Sequence, residues 1–490
     1  MSLNLSMANA LSGLRVTNKI TEATSNNVAN YLTDNYGRQV VNVSSVALGG
    51  AGAGVRVASA ERAMAPEYTL PRREADGDAA HFAAMADALE KLGIALGEAD
   101  GDDGLFRRIS DFESDLRALA DAPEEGPRQS AAIDSARDVT TMLNRLSDVA
   151  ADIRQTADSE IAIQVAKVNS NLQQIADLNA KIQLIGGDDL SRPTLVNERE
   201  KLIDEISAII PVKPQMQGNG SIHLYTSEGT FILREEAEVL SFTASPTITA
   251  PMVYAPAGGG ALSGLFVGAQ EITPGGGGIF ELQSGSLVGQ FAVRDQIGVD
   301  FQQKIDLFAA DLIARFEDPT VDPTLTAGDP GLFTDAGGVL DMSIIEGLAG
   351  RIAVNAFADP EQGGTATALR DGLQAGAPGP VSSDTILRSM LSALREPVAT
   401  TIPGLPAFYG SVDLAAGIVE QTAIARTDAQ SEAGRKSAAR VALAEAEADR
   451  IGVDQDAELA RLIQLEQAYT ANAKVLQTVS DMLQEIMELR

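Results

Sequence analysis

His81 and His223 are the only histidines in the 490 residues, so proton transfer near neutral pH has two natural candidates. His81 opens a helical stretch and His223 alternates within an extended one, with no carboxylate placed beside either by the sequence. Both read as solvated or packed side chains, and without cysteine the pair does not complete a zinc site. Asp100-Gly101-Asp102-Asp103-Gly104 has the composition of a calcium loop but not its spacing, because neither glycine stands five residues after an acidic first position. It reads as a solvated loop between helices. The glycine runs lack a following Lys-Ser/Thr or a strand–helix context that would cradle phosphate. The sequons at Asn4-Leu5-Ser6 and Asn42-Val43-Ser44 are expected by chance, and paired carboxylates carry little information in so acidic a chain. With no catalytic constellation, cofactor motif or metal cluster, the expectation is a protein that is not an enzyme.

Composition narrows the partners. The formal charge is −31, from 37 basic and 68 acidic residues, so nucleic acid and anionic membrane surfaces are poor matches. Residues 1–44 differ: Arg15, Lys19 and Arg38 nearly balance Glu22 and Asp34, which suits packing against copies of the same segment. No stretch approaches the roughly 18 apolar residues of a spanning helix. The start lacks the features of a cleaved secretory signal, which is compatible with a cytosolic protein or with export that reads an uncleaved end.

The elements that would position any site are mostly helical, and the length allows about three domains. Leu3, Met7, Leu11 and Leu14 form one helical face, broken by the Asn- and Thr-rich stretch Thr24–Asn35. Gln39–Val46 reads as extended, and Gly49–Gly54 as a flexible joint. Between 81 and 185, Phe82, Met85, Leu89, Leu92 and Leu96 share one spacing, as do Leu105, Ile109, Phe112, Leu116 and Leu119. Ile161, Val165, Val168, Leu172, Ile175 and Ile182 continue it, with Asn179 in a polar slot. These stripes predict a long rod helix from about 130 to 185. Alternation at Ile222 and Leu224 after Asn219-Gly220 marks a β-rich insertion. The expected fold class is therefore α+β and multidomain, an elongated helical coiled-coil or bundle rod built by both halves, with inserted β-rich lobes at its far end. The expected divisions are an N-terminal helix and arm (1–75), rod segments (76–212, 285–317 and 381–450), a β-rich insertion (213–284), an irregular insertion (318–380) and one uninterrupted C-terminal helix (451–490).

The two extremities are alike in kind. Leu465, Tyr469, Leu476, Val479, Leu483 and Ile486 make an apolar seam running nearly to the C-terminus. At the other end stand Ala10-Leu11-Ser12-Gly13-Leu14, Ser25-Asn26-Asn27-Val28-Ala29-Asn30 and Tyr36-Gly37-Arg38-Gln39. These segments resemble the N-terminal signature of flagellar axial proteins, and Gln467-Ala468-Tyr469 with Ala471-Asn472-Ala473-Lys474 resembles the C-terminal one. Leu119-Ala120, Leu195-Val196-Asn197-Glu198-Arg199 and Ser284-Gly285-Ser286-Leu287 are similar to internal stretches of the hook-associated protein 1 family. The chain departs from the family pattern at Asn35, where glycine is usual, and at Asp454 and Gln455.

The resemblance implies a structural subunit that joins hook to filament. It would leave the cell unfolded through the flagellar type III system, without a cleaved signal, and end outside the cell on the flagellum. The implied contacts are Leu11, Gly13, Leu14, Asn26, Asn27, Ala29, Asn30, Tyr36, Arg38 and Gln39 at one end. At the other they are Leu465, Gln467, Ala468, Tyr469, Ala471, Leu476, Val479 and Leu483. Implied partners are further copies in a helical tube, the hook protein, the second junction or filament proteins, and an export chaperone on the C-terminal helix. The end helices are expected to order only on incorporation. Competing expectations are a hook or distal-rod protein, a secreted enzyme or binding protein with a functional β-rich insertion, and a cytosolic coiled-coil scaffold.

Overall fold

The computed structural model describes residues 2–33, 35–48, 51–97, 101, 103–256, 259–399, 405 and 408–488. Helix α1 (Ser2–Ala29) leads into an antiparallel hairpin of β1 (Gln39–Leu48) and β2 (Ala51–Arg62). The break expected at Thr24 comes only after Ala29. Thr17 and Thr21 donate their hydroxyls to carbonyls four residues back, and Asn30 donates its amide to the Asn26 carbonyl. Such local bonds let residues of modest helix propensity sit within a helix or at its end. Of the expected joint at Gly49–Gly54, Gly49 and Gly50 lie outside the described residues, and the rest is strand.

The shaft follows: α2 (Pro66–Leu96), α3 (Leu105–Asp121), α4 (Gly126–Leu184) and α5 (Ser191–Ile209). The division expected at 75/76 falls inside the continuous α2. At about 1.5 Å per residue, α4 spans about 88 Å, and its inward stripe is the one read from the spacing, Ile161 to Ile182 included. β3 (Val212–Met216), β4 (Ile222–Thr226) and β5 (Phe231–Leu233) form one antiparallel sheet; β6 (Leu240–Ser241), β7 (Phe266–Val267) and β8 (Gln270–Glu271) form another. Gly220 turns β3 into β4 at φ +86°. Helix resumes at α6 (Ser286–Ala292), within the expected 285–317 rod segment, and passes through a π-turn at Val293–Ile297 into α7 (Gly298–Phe316). β9 (Phe333–Asp335) pairs with β10 (Ile352–Val354), followed by α8 (Ala368–Asp371) and α9 (Thr385–Arg395). After β11 (Val398–Ala399) and β12 (Phe408–Tyr409) come α10 (Ser411–Ile451) and α11 (Gln455–Glu488).

Two cores occupy successive halves of α4. Phe112, Phe316 and Phe333 meet at centroid distances of 5.1–6.1 Å in the first. In the second, Ile161, Val168 and Ile175 pack with Ile203, Leu224 and Phe291. The insertions are therefore not both mounted at the far end. Asn144 holds the carbonyl of Ala349 at 2.8 Å, whereas Asn169 and Asn179 hold Leu240 and Ile222 further along the same helix. Each lobe is too small to bury its own apolar face, and α4 is long enough to cover both in sequence. α2 and α10 run antiparallel, linked by Lys436–Asp78 at 2.8 Å and, further along α2, by Gln430–Glu90 at 2.5 Å, so both chain halves build the shaft. The C-terminal helix expected over 451–490 is α11, which starts only at Gln455: a Cβ at Gly452 would collide with the Ala448 carbonyl, and Asp454 starts the helix by accepting from the Ala457 N–H at 3.1 Å.

Candidate assembly interface and its joint to the shaft

α1 and α11 lie side by side and antiparallel, with Gly13 opposite Asn472 and Asn27 opposite Glu458. A Cβ at Gly13 would stand 2.9 Å from the Asn472 amide nitrogen, so the glycine sets the close approach. Val479 is buried in this pair, and Leu14, Leu465, Leu476 and Leu483 are half-buried. Leu11, Ala29, Gln467, Ala468, Tyr469 and Ala471 are exposed. The ends are thus already helical and paired in the single chain, rather than ordered only on incorporation, because their seams find each other. The pairing leaves apolar surface over: Ile463, Val475, Met482, Ile486 and Met487 on α11 and Leu5 on α1 face outward.

The joint at the base of this pair is polar and buried. Asn27, 0% exposed, donates to the Gln39 carbonyl at 3.0 Å and to Glu458 at 3.2 Å. Its Oδ1 accepts from the Gln39 N–H at 2.8 Å and the Tyr36 hydroxyl at 3.1 Å. One side chain thereby ties α1, the strand arm and α11. Asn35 takes φ +57°, a left-handed turn that asparagine tolerates and glycine adopts freely. Gly37 exchanges two bonds with the Asn197 side chain, at 2.9 and 3.1 Å, which pins the turn to α5. The Arg38 N–H reaches the Ile451 carbonyl at 2.8 Å, and Gln39 Nε2 reaches Thr194 at 3.1 Å. Among the described residues, Asn26 contributes only its carbonyl, to Asn30.

Below the joint lies a buried ion network. Arg72 pairs with Asp76, Asp204 and Glu447, and Arg73 with Asp204 and Glu200 at 2.7 and 2.8 Å. It locks α2, α5 and the end of α10 together. Burial alone would lower both arginine pKa values, but Asp204, with Glu447 and Glu200, outweighs it and raises them. Burial would likewise raise Glu200, yet Arg73, Arg199 and Arg62 hold it below the ordinary carboxylate value. Tyr36 is pushed up to about 12 by burial and by the Glu458 charge, with Arg62 opposing.

Among the implied contacts, Asn27, Tyr36, Arg38 and Gln39 converge on the joint, while Gly13 and Leu476 lie along the pair. Tyr469, Ala468 and Gln467 are exposed. Arg62, Arg72, Arg73, Glu447 and Glu458 were not singled out as site residues. A double arginine in so acidic a chain was the available signal, but its partners lie up to 375 residues away. His81 stacks on Phe82 at 4.8 Å, burial lowering its pKa, while nearby Asp78 is held by Lys436 and Ser284. His223 lies on β4, opposite Gln215. Residues 100 and 102 of the acidic loop lie outside the described residues. Among the described residues, no group of three or more acidic, histidine or cysteine side chains could hold a metal, and no helix is long and apolar enough to cross a membrane.

The profile described as flagellar hook-associated protein FlgK helical domain matches residues 90–320, and that of the flagellar basal body rod FlgEFG protein C-terminal matches 450–489. Flagellar hook-associated protein 1 of Bacillus subtilis is 28% identical over 219 residues, 42% of this chain and 43% of that protein. The Salmonella typhimurium protein of the same name is 26% identical over 252 residues, 49% of this chain and 45% of its own. The match thus spans less than half the length of these relatives. The flagellar hook junction protein FlgK of Burkholderia pseudomallei overlays with a TM-score of 0.43 at 17% identity, over 56% of this chain and 47% of its own. Over these spans the chain is similar to the flagellar hook-associated protein FlgK family, and at its C-terminal end to the flagellar basal body rod proteins.

Proposed function

We propose that the chain is a structural subunit of the hook–filament junction, assembled through the antiparallel α1–α11 pair. The observation that carries this reading is the pair itself, closed on one face, apolar on the other, and fastened to a rigid shaft by the Asn27 joint. A helix pair that presents one face to unlike faces of neighbouring copies repeats without closing, which generates a helical tube. The hook protein would lie on one side and the second junction or filament protein on the other. The acidic shaft and lobes would face outward, extracellularly. Export would be through the flagellar type III system in an unfolded state, which the absence of cysteine suits. An export chaperone would cover α11, whose exposed apolar residues otherwise invite association. The relatives' name, flagellar hook-associated protein 1, supports a hook-associated subunit over the hook protein itself or a distal-rod protein.

The test is a chain lacking residues 465–490, expressed in a flagellated host deprived of its own copy. The shaft should fold, as read by circular dichroism, while filaments fail to remain on hooks. Normal filaments with the truncated chain would overturn the proposal.

A further inference from the structure

A cavity of about 630 Å³ opens between the β1–β2 hairpin and the first turn of α5. Its lining carries three guanidinium groups, of Arg62, Arg192 and Arg199, against one carboxylate, Glu61. That local excess of positive charge runs against a chain with 68 acidic and 37 basic residues. The three arginines differ in how far they are satisfied. Arg62 uses all three nitrogens, on Asn197 and on the carbonyls of Ala63 and Asn35. Arg199, 1% exposed, gives Nη1 to Asn179 Oδ1 at 3.1 Å and to the Gly220 carbonyl at 2.9 Å, while its buried Nε has no partner. The carboxylate nearest to it, Glu200, stands 3.8 Å away and is already bonded to Arg73 at 2.8 Å. Arg192 is half-buried against Gly220, where a Cβ would displace it, and its side chain makes no hydrogen bond or ion pair among the described residues.

A buried donor without an acceptor is destabilising, because it has given up water and gained no partner. Burial and the like charges of Arg192, Arg62 and Arg73 also lower the Arg199 pKa. An anion between the two guanidiniums relieves both. Planar guanidinium forks match the oxygens of phosphate and carboxylate groups better than a spherical ion.

We infer that this cavity is an oxyanion site, in which a phosphate or carboxylate group lies between Arg192 and Arg199 of α5, beside the β1–β2 hairpin. The exposed Met64 and Met216 line the same cavity, so there is apolar surface for whatever carries the group. Two sources share this chemistry: a free oxyanion, and an acidic side chain of a second copy. The inference is independent of the junction role, because neither arginine lies on the α1–α11 pair.

The experiment compares the full chain with Arg192→Gln, at constant ionic strength with chloride as control. Calorimetric titration of dilute chain with inorganic phosphate reads the free source. Sedimentation of concentrated chain, with and without phosphate, reads the second. Saturable phosphate binding weakened by about tenfold or more in Arg192→Gln supports a free oxyanion. Self-association that phosphate competes away and Arg192→Gln abolishes supports an acidic side chain from another copy. If circular dichroism shows both chains folded and neither effect appears, the site does not exist.

Discussion

The shaft and the end pair are both built from long amphipathic helices, but only one of them is finished within the chain. Phe112, Leu143, Ile305 and Phe308 in the shaft are 0% exposed, whereas Ile463, Ile486 and Met487 on α11 are 59%, 54% and 74% exposed. The shaft has helices on several sides and two lobes over α4, so each stripe is covered. α1 and α11 have chiefly each other and the strand arm, and two helices cannot cover two full apolar faces. On the proposed reading the difference separates stability from assembly: the shaft holds the molecule together, and the end pair would keep its surface for neighbours.

The largest expected effect is in the shaft. Phe112→Ala removes a ring in contact with Phe316 and Phe333 and should lower stability by about 3–5 kcal/mol in chemical denaturation. A loss below about 1 kcal/mol would mean the shaft is packed as loosely as the ends. Next comes the joint. Asn27→Ala leaves the Gln39 N–H and carbonyl and the Tyr36 hydroxyl without their partner, a loss of about 2–3 kcal/mol. Hydrogen exchange should quicken in α1 and α11 and stay unchanged in α3 and α4; a uniform change would erase the distinction between the two regions.

A smaller, pH-dependent effect sharpens the same contrast. The folded Tyr36 hydroxyl sits at about 12 against an ordinary 10.0, so folding favours its neutral form. Its contribution is present below about pH 10 and is lost as pH rises toward about 12. Exchange protection in α1 should fall over that window, and Tyr36→Phe should flatten the dependence. A profile unchanged by that substitution would place the titrating group elsewhere.

Much of the shaft was legible because a stripe repeated over many turns states its own period. The inward residues of α4 and α3 are those the spacing marks. Local bonds were less visible: Thr17, Thr21 and Asn30 sustain or finish α1 through their own side chains, and no apolar period records that. Gly452 delays the start of the C-terminal helix because a backbone carbonyl occupies the place of its Cβ, a steric fact that hydropathy does not carry. In the joint, Asn27, Tyr36 and Gln39 were marked by motif, but Arg72, Arg73 and Glu447 were not. Their network joins segments 127 to 375 residues apart, and charge alone does not say which distant carboxylate an arginine meets. The lobes were placed at the far end because a rod with insertions suggests a tip, whereas the apolar length of α4 decides that they lie along its side.

The most direct measurement uses the exposed face of α11 without disturbing its buried seam. Val475→Ser, Met482→Ser and Ile486→Ser combined should change the stability of the isolated chain by no more than about 1 kcal/mol, as surface substitutions do. In a flagellated host lacking its own copy, the same chain should be unable to keep filaments attached to hooks, as counted by electron microscopy. Filaments retained at the unsubstituted frequency, with the chain folded and present at normal levels, would contradict the assignment of that face to assembly.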